Sequence, residues 1–390
     1  MISKKQASAV RAQKVLLVGP SFSGGGAEGR FARLAGFLFG GTCDVAVFKH
    51  TTARPVPTPK RVFDLRWKGV LSYPRMVLKI VKLIRIHRYD VVMSFGMFPN
   101  LICILAARLS LTSTRVIIHE ISRPLKLVEH AGYKQKLLYI GVQKALLPLA
   151  DVITANSIDG LSEMLQICHG FQGITCLLSN AIDTGVIMKA SQQATTVPMP
   201  LGPFIVCVAR LDRMKRLDTV IEAYSHIYTQ ITHSLVIVGD GEALAGLKLQ
   251  VEQLALGHRV VFTGAVQSPL SIVASASAFV IASEYEGFSN AVLEAMFLDV
   301  PVATSYCSSD AREICHRGAA LGFEVGSARG LASQLLAILT EPDVSTGLVK
   351  HARIYRQTHV LEYAIPRYEA LIMDLVNGEK SSVRDDAIHS

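Results

Sequence analysis

The sequence predicts an α/β protein of two domains, each an open parallel sheet covered by helices, and three observations carry that expectation. Short continuous apolar runs alternate with segments of helical period along most of the chain, the pattern of βαβ units. The 390 residues, half of them hydrophobic and 18% charged, suffice for two cores and are too apolar for a disordered chain. The alternation stops once, in the Gln-, Ser-, Thr- and Pro-rich stretch from Thr184 to Pro203, and then resumes, which reads as an interdomain linker. The expected boundaries are a first domain at 1–190, a second at 204–362, a closing helix at 363–377 and a flexible tail at 378–390.

Within the first domain, Lys14 to Gly19 (KVLLVG) reads as a buried first strand, followed by a glycine-rich turn from Pro20 to Gly29 and a helix from Arg30 to Leu38. Gly24, Gly26 and Gly29 formally match G-x-G-x-x-G. These glycines begin several residues past the strand, and the next strand, Val45 to Phe48, ends in Lys49 and His50 with no acid for a ribose, so a dinucleotide cofactor is not expected. Arg75 to Arg88 is a basic amphipathic helix with Arg75, Lys79, Lys82 and Arg85 at spacings of four and three. It reads either as a sheet-covering helix with solvated cations or as a membrane-facing one. Val91 to Leu111 is the most apolar window, but Pro99, Asn100 and Arg108 interrupt it, so it reads as a strand and a helix rather than a membrane span. The strand Arg115 to Ile118 runs directly into His119 and Glu120, placing a histidine at a strand's carboxyl end. Arg123 to Lys144 then mixes Lys126, Lys134, Lys136 and Lys144 with Tyr133, Leu137, Leu138, Tyr139 and Ile140, a second basic and apolar segment suited to a membrane interface. Strands at Val152 to Ala155 and Leu177 to Asp183, the latter with Asn180, complete the domain.

Phe204 to Ala209 opens the second series, with further strands near Leu235 to Val238, Val260 to Phe262, Phe279 to Ala282 and Val302 to Thr304. Arg210 to Lys215 (RLDRMK) follows the opening strand and precedes a helix from Leu217 to Tyr228. Cations there suit a diphosphate, Arg as a planar fork and Lys as a point charge, unless the loop is merely solvated. Gly239 and Gly241 form a second turn at a strand end. Phe279 to Thr304 reads as strand, loop, helix, loop and strand, with Glu286 in the first loop, Ser289 as a natural N-cap, a helix from Asn290 to Leu298 carrying Glu294, and Pro301 as its stop. Ligands of open α/β sheets bind at strand carboxyl ends, where helix N-termini offer free amides to anions. Glu286 is therefore placed to take ligand hydroxyls, and the amides of Phe288, Ser289 and Asn290 to cap an anion. Two glutamates eight apart also arise by chance.

Glu286-Gly287-Phe288, Asn290 and Leu293-Glu294-Ala295-Met296 resemble the E-x7-E segment of the family 4 glycosyltransferases, retaining enzymes of the two-domain GT-B fold. Arg210 and Lys215 resemble the family's R-x4-K pair, Gly239-Asp240-Gly241 its G-x-G turn, and the loop with Gly25, Gly26 and Glu28 the GG-A-E segment that opens its chains. The resemblance runs from Lys14 to about Val376. It implies two Rossmann-like domains facing each other across a cleft, with the helix from Tyr363 to Val376 crossing back to the first. It implies that Glu286 and His119 contact the donor sugar, that Glu294 binds the ribose of a nucleotide sugar, that Arg210 and Lys215 bind the pyrophosphate, and that the glycine-rich loop lies near donor phosphate and acceptor. No D-x-D motif stands where a metal would hold the diphosphate, so neither metal nor resident cofactor is expected, and cations with a helix N-terminus would neutralise the leaving group. Phe288-Ser289-Asn290 leans the donor toward a UDP-N-acetylhexosamine.

Charge is divided unevenly. Residues 1–197 hold 25 Lys and Arg against 10 Asp and Glu, a net of +15, whereas residues 198–390 hold 15 against 21, a net of −6. The basic half suggests an anionic partner: a membrane with acidic headgroups, reached by a peripheral enzyme on its cytoplasmic face with a lipid-linked saccharide acceptor. Aromatics are too sparse around the early lysines for base stacking, which argues against nucleic acid. Seven cysteines without a C-x-x-C pair read as apolar core residues in a reducing compartment, and no apolar region precedes the first strand as a signal peptide would. The rival readings are a phosphorylase or nucleotide-sugar epimerase of the same fold, and a non-enzymatic binder of anionic lipid or nucleic acid.

Overall fold

The computed structural model describes residues 13–22, 26–49, 59–129, 132–195 and 197–379. Gly24 and Gly25 of the glycine-rich loop, and the tail beyond residue 379, lie outside them. The chain divides into two compact units, one of residues 1–156, 160–178 and 365–390, the other of residues 157–159 and 179–364.

The first unit runs β1 (Val15–Gly19), α1 (Gly26–Phe37), β2 (Asp44–Val47), β3 (Arg61–Asp64), α2 (Tyr73–His87), β4 (Val91–Phe95), α3 (Met97–Ser110), β5 (Arg115–Glu120), α4 (Pro124–Leu127), α5 (Tyr133–Leu146), β6 (Val152–Ala155), α6 (Ile158–Ile167) and β7 (Ile174–Leu177). Its sheet has the order β3-β2-β1-β4-β5-β6-β7, all parallel. Continuous apolar strands such as Val15–Gly19 and Val91–Phe95 are buried throughout, as strands covered on both faces must be. Met76, Val77, Ile80, Val81 and Ile84 bury the inner face of α2.

The second unit runs α7 (Thr184–Ser191), β8 (Phe204–Val208), α8 (Leu217–Ile227), β9 (Ser234–Val238), α9 (Leu244–Gln253), β10 (Val260–Gly264), α10 (Leu270–Ala274), β11 (Ala278–Ile281), α11 (Asn290–Phe297), β12 (Val302–Ser305), α12 (Ser309–His316), β13 (Leu321–Phe323), α13 (Ala328–Thr340), α14 (Pro342–Tyr355) and α15 (Leu361–Asn377), the last helix counting with the first unit from Ile365. Its parallel order is β10-β9-β8-β11-β12-β13. In both sheets the order reverses beside the first strand, between β1 and β4 and between β8 and β11, and ligands of such sheets bind at that switch point.

Three expectations are corrected. The strand expected at Leu177–Asp183 lies at Ile174–Leu177, where it pairs with β6. The following apolar residues are buried for another reason, Ile182 bridging to Val360. The expected linker begins with a helix, α7, capped by Asp183 Oδ1 on the Val186 amide at 3.0 Å. Lastly, β5 does not stop at Ile118, because His119 and Glu120 still pair with Thr154 and Ala155 of β6. The two edge strands β3 and β13 were not expected from the sequence.

Candidate active site

In the second unit the candidate residues gather at the switch point. β8 and β11 are neighbours, pairing Ala278 with Ile205 and Phe279 with Val206. The loop after β8 delivers Lys215 and the loop after β11 delivers Glu286, and Lys215 Nζ donates to Glu286 Oε1 at 2.5 Å. Ser283 Oγ donates to the same oxygen at 2.8 Å. Arg210 is exposed, 70% by side chain, and its Nε meets Asp212 Oδ2 at 2.5 Å. Asp212 also caps the single turn 213–215 by accepting from the Lys215 amide, fixing where the lysine leaves the backbone. Arg213 is exposed, and Arg216 pairs with Asp218 at 3.1 Å, as surface charges do.

Gly239 and Gly241 have a reason visible in the backbone. A Cβ at Gly239, whose φ is 140°, would stand 1.9 Å from the Ala209 carbonyl oxygen, and one at Gly241 would stand 2.3 Å from that of Leu211. The close approach they permit is that of the chain's own segment after β8, which carries Arg210, and Leu211 N–H donates to the Asp240 carbonyl at 2.9 Å.

Ser289 occupies the N-cap position of α11, but its side chain makes no capping bond. Instead Asn180 Nδ2 reaches the loop, donating to the Phe288 carbonyl at 3.1 Å and to Asn290 Oδ1 at 2.8 Å. The Phe288 ring is buried and stacks on His359 at 5.2 Å. Glu294 lies half-buried on α11. Behind the loop a small cavity is lined by Glu286, Ser289, Thr304, Cys307 and Asp310 among others. Burial and the Glu286 carboxylate push the Cys307 thiol up to about 11, so it is no nucleophile at neutral pH. Burial and the Asp159 carboxylate push Asp310 up to about 7.

In the first unit His119 lies within β5 and is fully buried. Its Nδ1 lies 2.7 Å from Thr154 Oγ1, and its ring packs between Phe95 and Tyr368, at 5.3 and 5.9 Å. Glu120, also fully buried, accepts through Oε1 from the Ile121 and Ser122 amides and the Ser122 hydroxyl, at 2.9, 3.0 and 2.7 Å. Burial raises its carboxyl above the usual range, which those bonds partly oppose. Gly26 is the first residue of α1, at the carboxyl end of β1, while Gly25 lies outside the described residues.

Of the two cationic segments, α2 spends part of its charge on its own unit, whereas α5 is exposed along nearly its whole length. Lys79 Nζ is spent on the Leu65 carbonyl at 3.1 Å, and Arg85 on the Ser110 and Leu109 carbonyls at 3.0 and 3.1 Å. The exposed cations of α2 are Arg75, Lys82 and Arg85, the last also held by those carbonyls, and they are interleaved with exposed Leu78 and Ile86. Among the residues of α5 only Gln143 is buried; Tyr133 is 80% exposed and Leu138 71%, beside exposed Leu137, Lys134, Lys136 and Lys144. Among the described residues no helix is long and apolar enough to cross a membrane, and no group of three or more His, Cys, Asp or Glu could hold a metal.

Two sheets of Rossmann order in one chain define the GT-B class, and the solved structures agree. HepE of Anabaena, in complex with UDP, superposes with a TM-score of 0.73 at 20% identity, covering 94% of this chain and all of that one. Residues 198–355 match the family model for glycosyl transferases group 1. Similar curated proteins are N-acetylgalactosamine-N,N'-diacetylbacillosaminyl-diphospho-undecaprenol 4-alpha-N-acetylgalactosaminyltransferase of Campylobacter jejuni, 30% identical over 244 residues, and N-acetyl-alpha-D-glucosaminyl L-malate synthase of Bacillus anthracis, 25% identical over 252. Each alignment covers 63% of this chain, and 65% and 64% of the respective relative. Residues 198–355 thus match a glycosyl transferase family model, and the curated relatives the chain resembles are named as a glycosyltransferase and a glycosyl-transferring synthase.

Proposed function

We propose that the protein moves a sugar, with retention of configuration, from a nucleoside diphosphate donor to a hydroxyl of a lipid-linked saccharide, without a metal. The observation that carries this is the meeting of Lys215 and Glu286 at the switch point of the second sheet. An ammonium has three donors, so Nζ can keep Glu286 while serving a diphosphate. Arg210 and Lys215 then neutralise the leaving group, Glu286 orients the sugar, Glu294 takes the ribose, and the amides at the start of α11 face the phosphates. Gly239 and Gly241 hold the Arg210 segment in place. The relatives' names, with N-acetylhexosaminyl transfer in both and a diphospho-undecaprenol acceptor in one, support a UDP-N-acetylhexosamine and a lipid-linked acceptor. The exposed apolar and basic faces of α2 and α5 support a peripheral position on an anionic membrane surface, on its cytoplasmic side.

A thermal-shift panel of UDP- and GDP-sugars, followed by UDP release in the presence of membrane extract, tests the reading. UDP-N-acetylglucosamine or UDP-N-acetylgalactosamine should raise the melting temperature, and release should depend on the extract. A protein that no nucleotide sugar stabilises is not this enzyme.

A further inference from the structure

We propose that Ser283 is a positioning residue for Glu286, and that Ser305 fixes Ser283 in turn. The inference rests on the reading of Glu286 as the carboxylate that faces the donor sugar. Glu286 Oε1 receives two donors, the Lys215 ammonium and the Ser283 hydroxyl. They are not equivalent. The ammonium is a point charge on a flexible four-carbon stem and sets little direction. The Ser283 hydroxyl hangs from a residue that is fully buried just past the end of β11, on a backbone that is itself held. Ser305, fully buried at the end of β12, donates its hydroxyl to the Ser283 carbonyl at 2.7 Å. The next amide, that of Glu284, donates to the Met214 carbonyl at 2.7 Å, beside the lysine. The ends of β11 and β12 and the loop after β8 therefore converge on one carboxylate oxygen.

Holding Oε1 in this way fixes the carboxylate plane and leaves Oε2 as the acceptor for a sugar hydroxyl, a geometry that must be right to a fraction of an ångström to help a reaction. An arriving diphosphate draws on the lysine's charge, whereas it has no claim on a buried neutral serine. Loss of Ser283 should accordingly appear in turnover and spare nucleotide affinity.

The test uses the full chain, UDP binding by calorimetry, and UDP release from UDP-N-acetylglucosamine and UDP-N-acetylgalactosamine with membrane extract as acceptor source. Ser283→Ala should lower turnover on the order of 10- to 100-fold, the effect of one hydrogen bond to a charged group, with the UDP dissociation constant within about twofold of wild type. Ser283→Cys leaves no void and keeps only a weaker donor, so it should share the loss, which separates hydrogen bonding from an emptied site should the alanine variant melt early. On a Glu286→Ala background Ser283→Ala should add nothing, since coupled residues are non-additive. Turnover near wild type in Ser283→Cys, or an undiminished further loss on the Glu286→Ala background, overturns the proposal. Wild-type turnover in Glu286→Ala alone removes the reading of Glu286 itself, and the inference with it.

Discussion

Asp310→Asn should change how stability depends on pH, and the structure gives the size of the change. Asp310 stands in the first turn of α12, buried, with Oδ2 lacking a hydrogen-bond partner among the described residues. Burial first, then repulsion from Asp159 and Glu313, raises its carboxyl to about 7, against about 3.9 in an unfolded chain. Between those values the folded protein holds a proton that the unfolded chain has released, so stability is lost as pH rises through the window and the deficit is full above pH 7. About three pH units at about 1.4 kcal/mol each amount to roughly 4 kcal/mol. Asparagine has the same shape and no such proton. The stability of the variant minus that of wild type should therefore climb by roughly 4 kcal/mol between pH 4 and pH 8. His359 acts in the opposite sense. Burial holds its imidazole down to about 4, against about 6.5 unfolded, so its stability is complete above about pH 6.5 and falls away by roughly 3 kcal/mol as pH drops through 4. In wild type the two slopes cancel over most of that range; in Asp310→Asn the histidine slope is uncovered, and the variant weakens in acid. Urea unfolding of both full-length proteins followed by circular dichroism at half-unit pH steps measures the difference curve. A difference curve flat from pH 4 to 8 refutes the argument, since no other group differs between the proteins.

The donor site makes two predictions. Arg210→Ala and Lys215→Ala should each weaken UDP binding by about 1.5–3 kcal/mol, with exposed Arg210 at the low end; calorimetry giving wild-type affinity for both removes the diphosphate assignment. Glu286→Ala should cut UDP release while leaving UDP affinity nearly unchanged, whereas Glu294→Ala should weaken UDP itself, and the reverse pattern means the roles are exchanged. On the membrane side, replacing Arg75 and Lys82 with Gln should weaken binding to vesicles containing acidic lipid by about 1 kcal/mol per cation at low salt. Replacing Lys79 and Arg85, whose donors are used inside the unit, should lower stability more than vesicle binding; equal release by both pairs, measured by co-sedimentation, contradicts the assignment of faces.

How much of this was legible in the sequence depends on where the signal sits. β8 and β11 could be read because five and four consecutive apolar residues between turn signals admit little else. β3 could not, since Arg61–Asp64 holds only two apolar residues between two charges, on an exposed sheet edge. α7 was hidden because its short apolar run Val186 to Met188 leads straight into a Gln-, Ser- and Thr-rich stretch, although Asp183 offered a cap. Glu286 and Lys215 were each legible beside a strand end, but not their contact, because 71 residues separate them and only the strand order makes β8 and β11 neighbours. Ser283 gave no sign at all: a serine after a strand is ordinary, and what distinguishes this one is a partner on the next strand. The cations of α2 misled for a similar reason, since spacing fixes the side of a helix but not which carbonyls lie within reach.

The allotment of residues 365–379 to the first unit has a consequence for how the chain is made. Tyr368, fully buried, closes over the His119 ring, and Glu369 Oε1 accepts from the Phe39 amide at 2.5 Å. Both partners are synthesised early and must wait for the last helix. At about 5–20 residues per second, the stretch 179–364 takes roughly 10–40 s to emerge. Throughout that interval the first unit exposes the groove meant for α15 while the second unit completes its own sheet. Chaperone demand and proteolytic vulnerability during synthesis should thus concentrate on the first unit, which begins first and is completed only when α15 emerges.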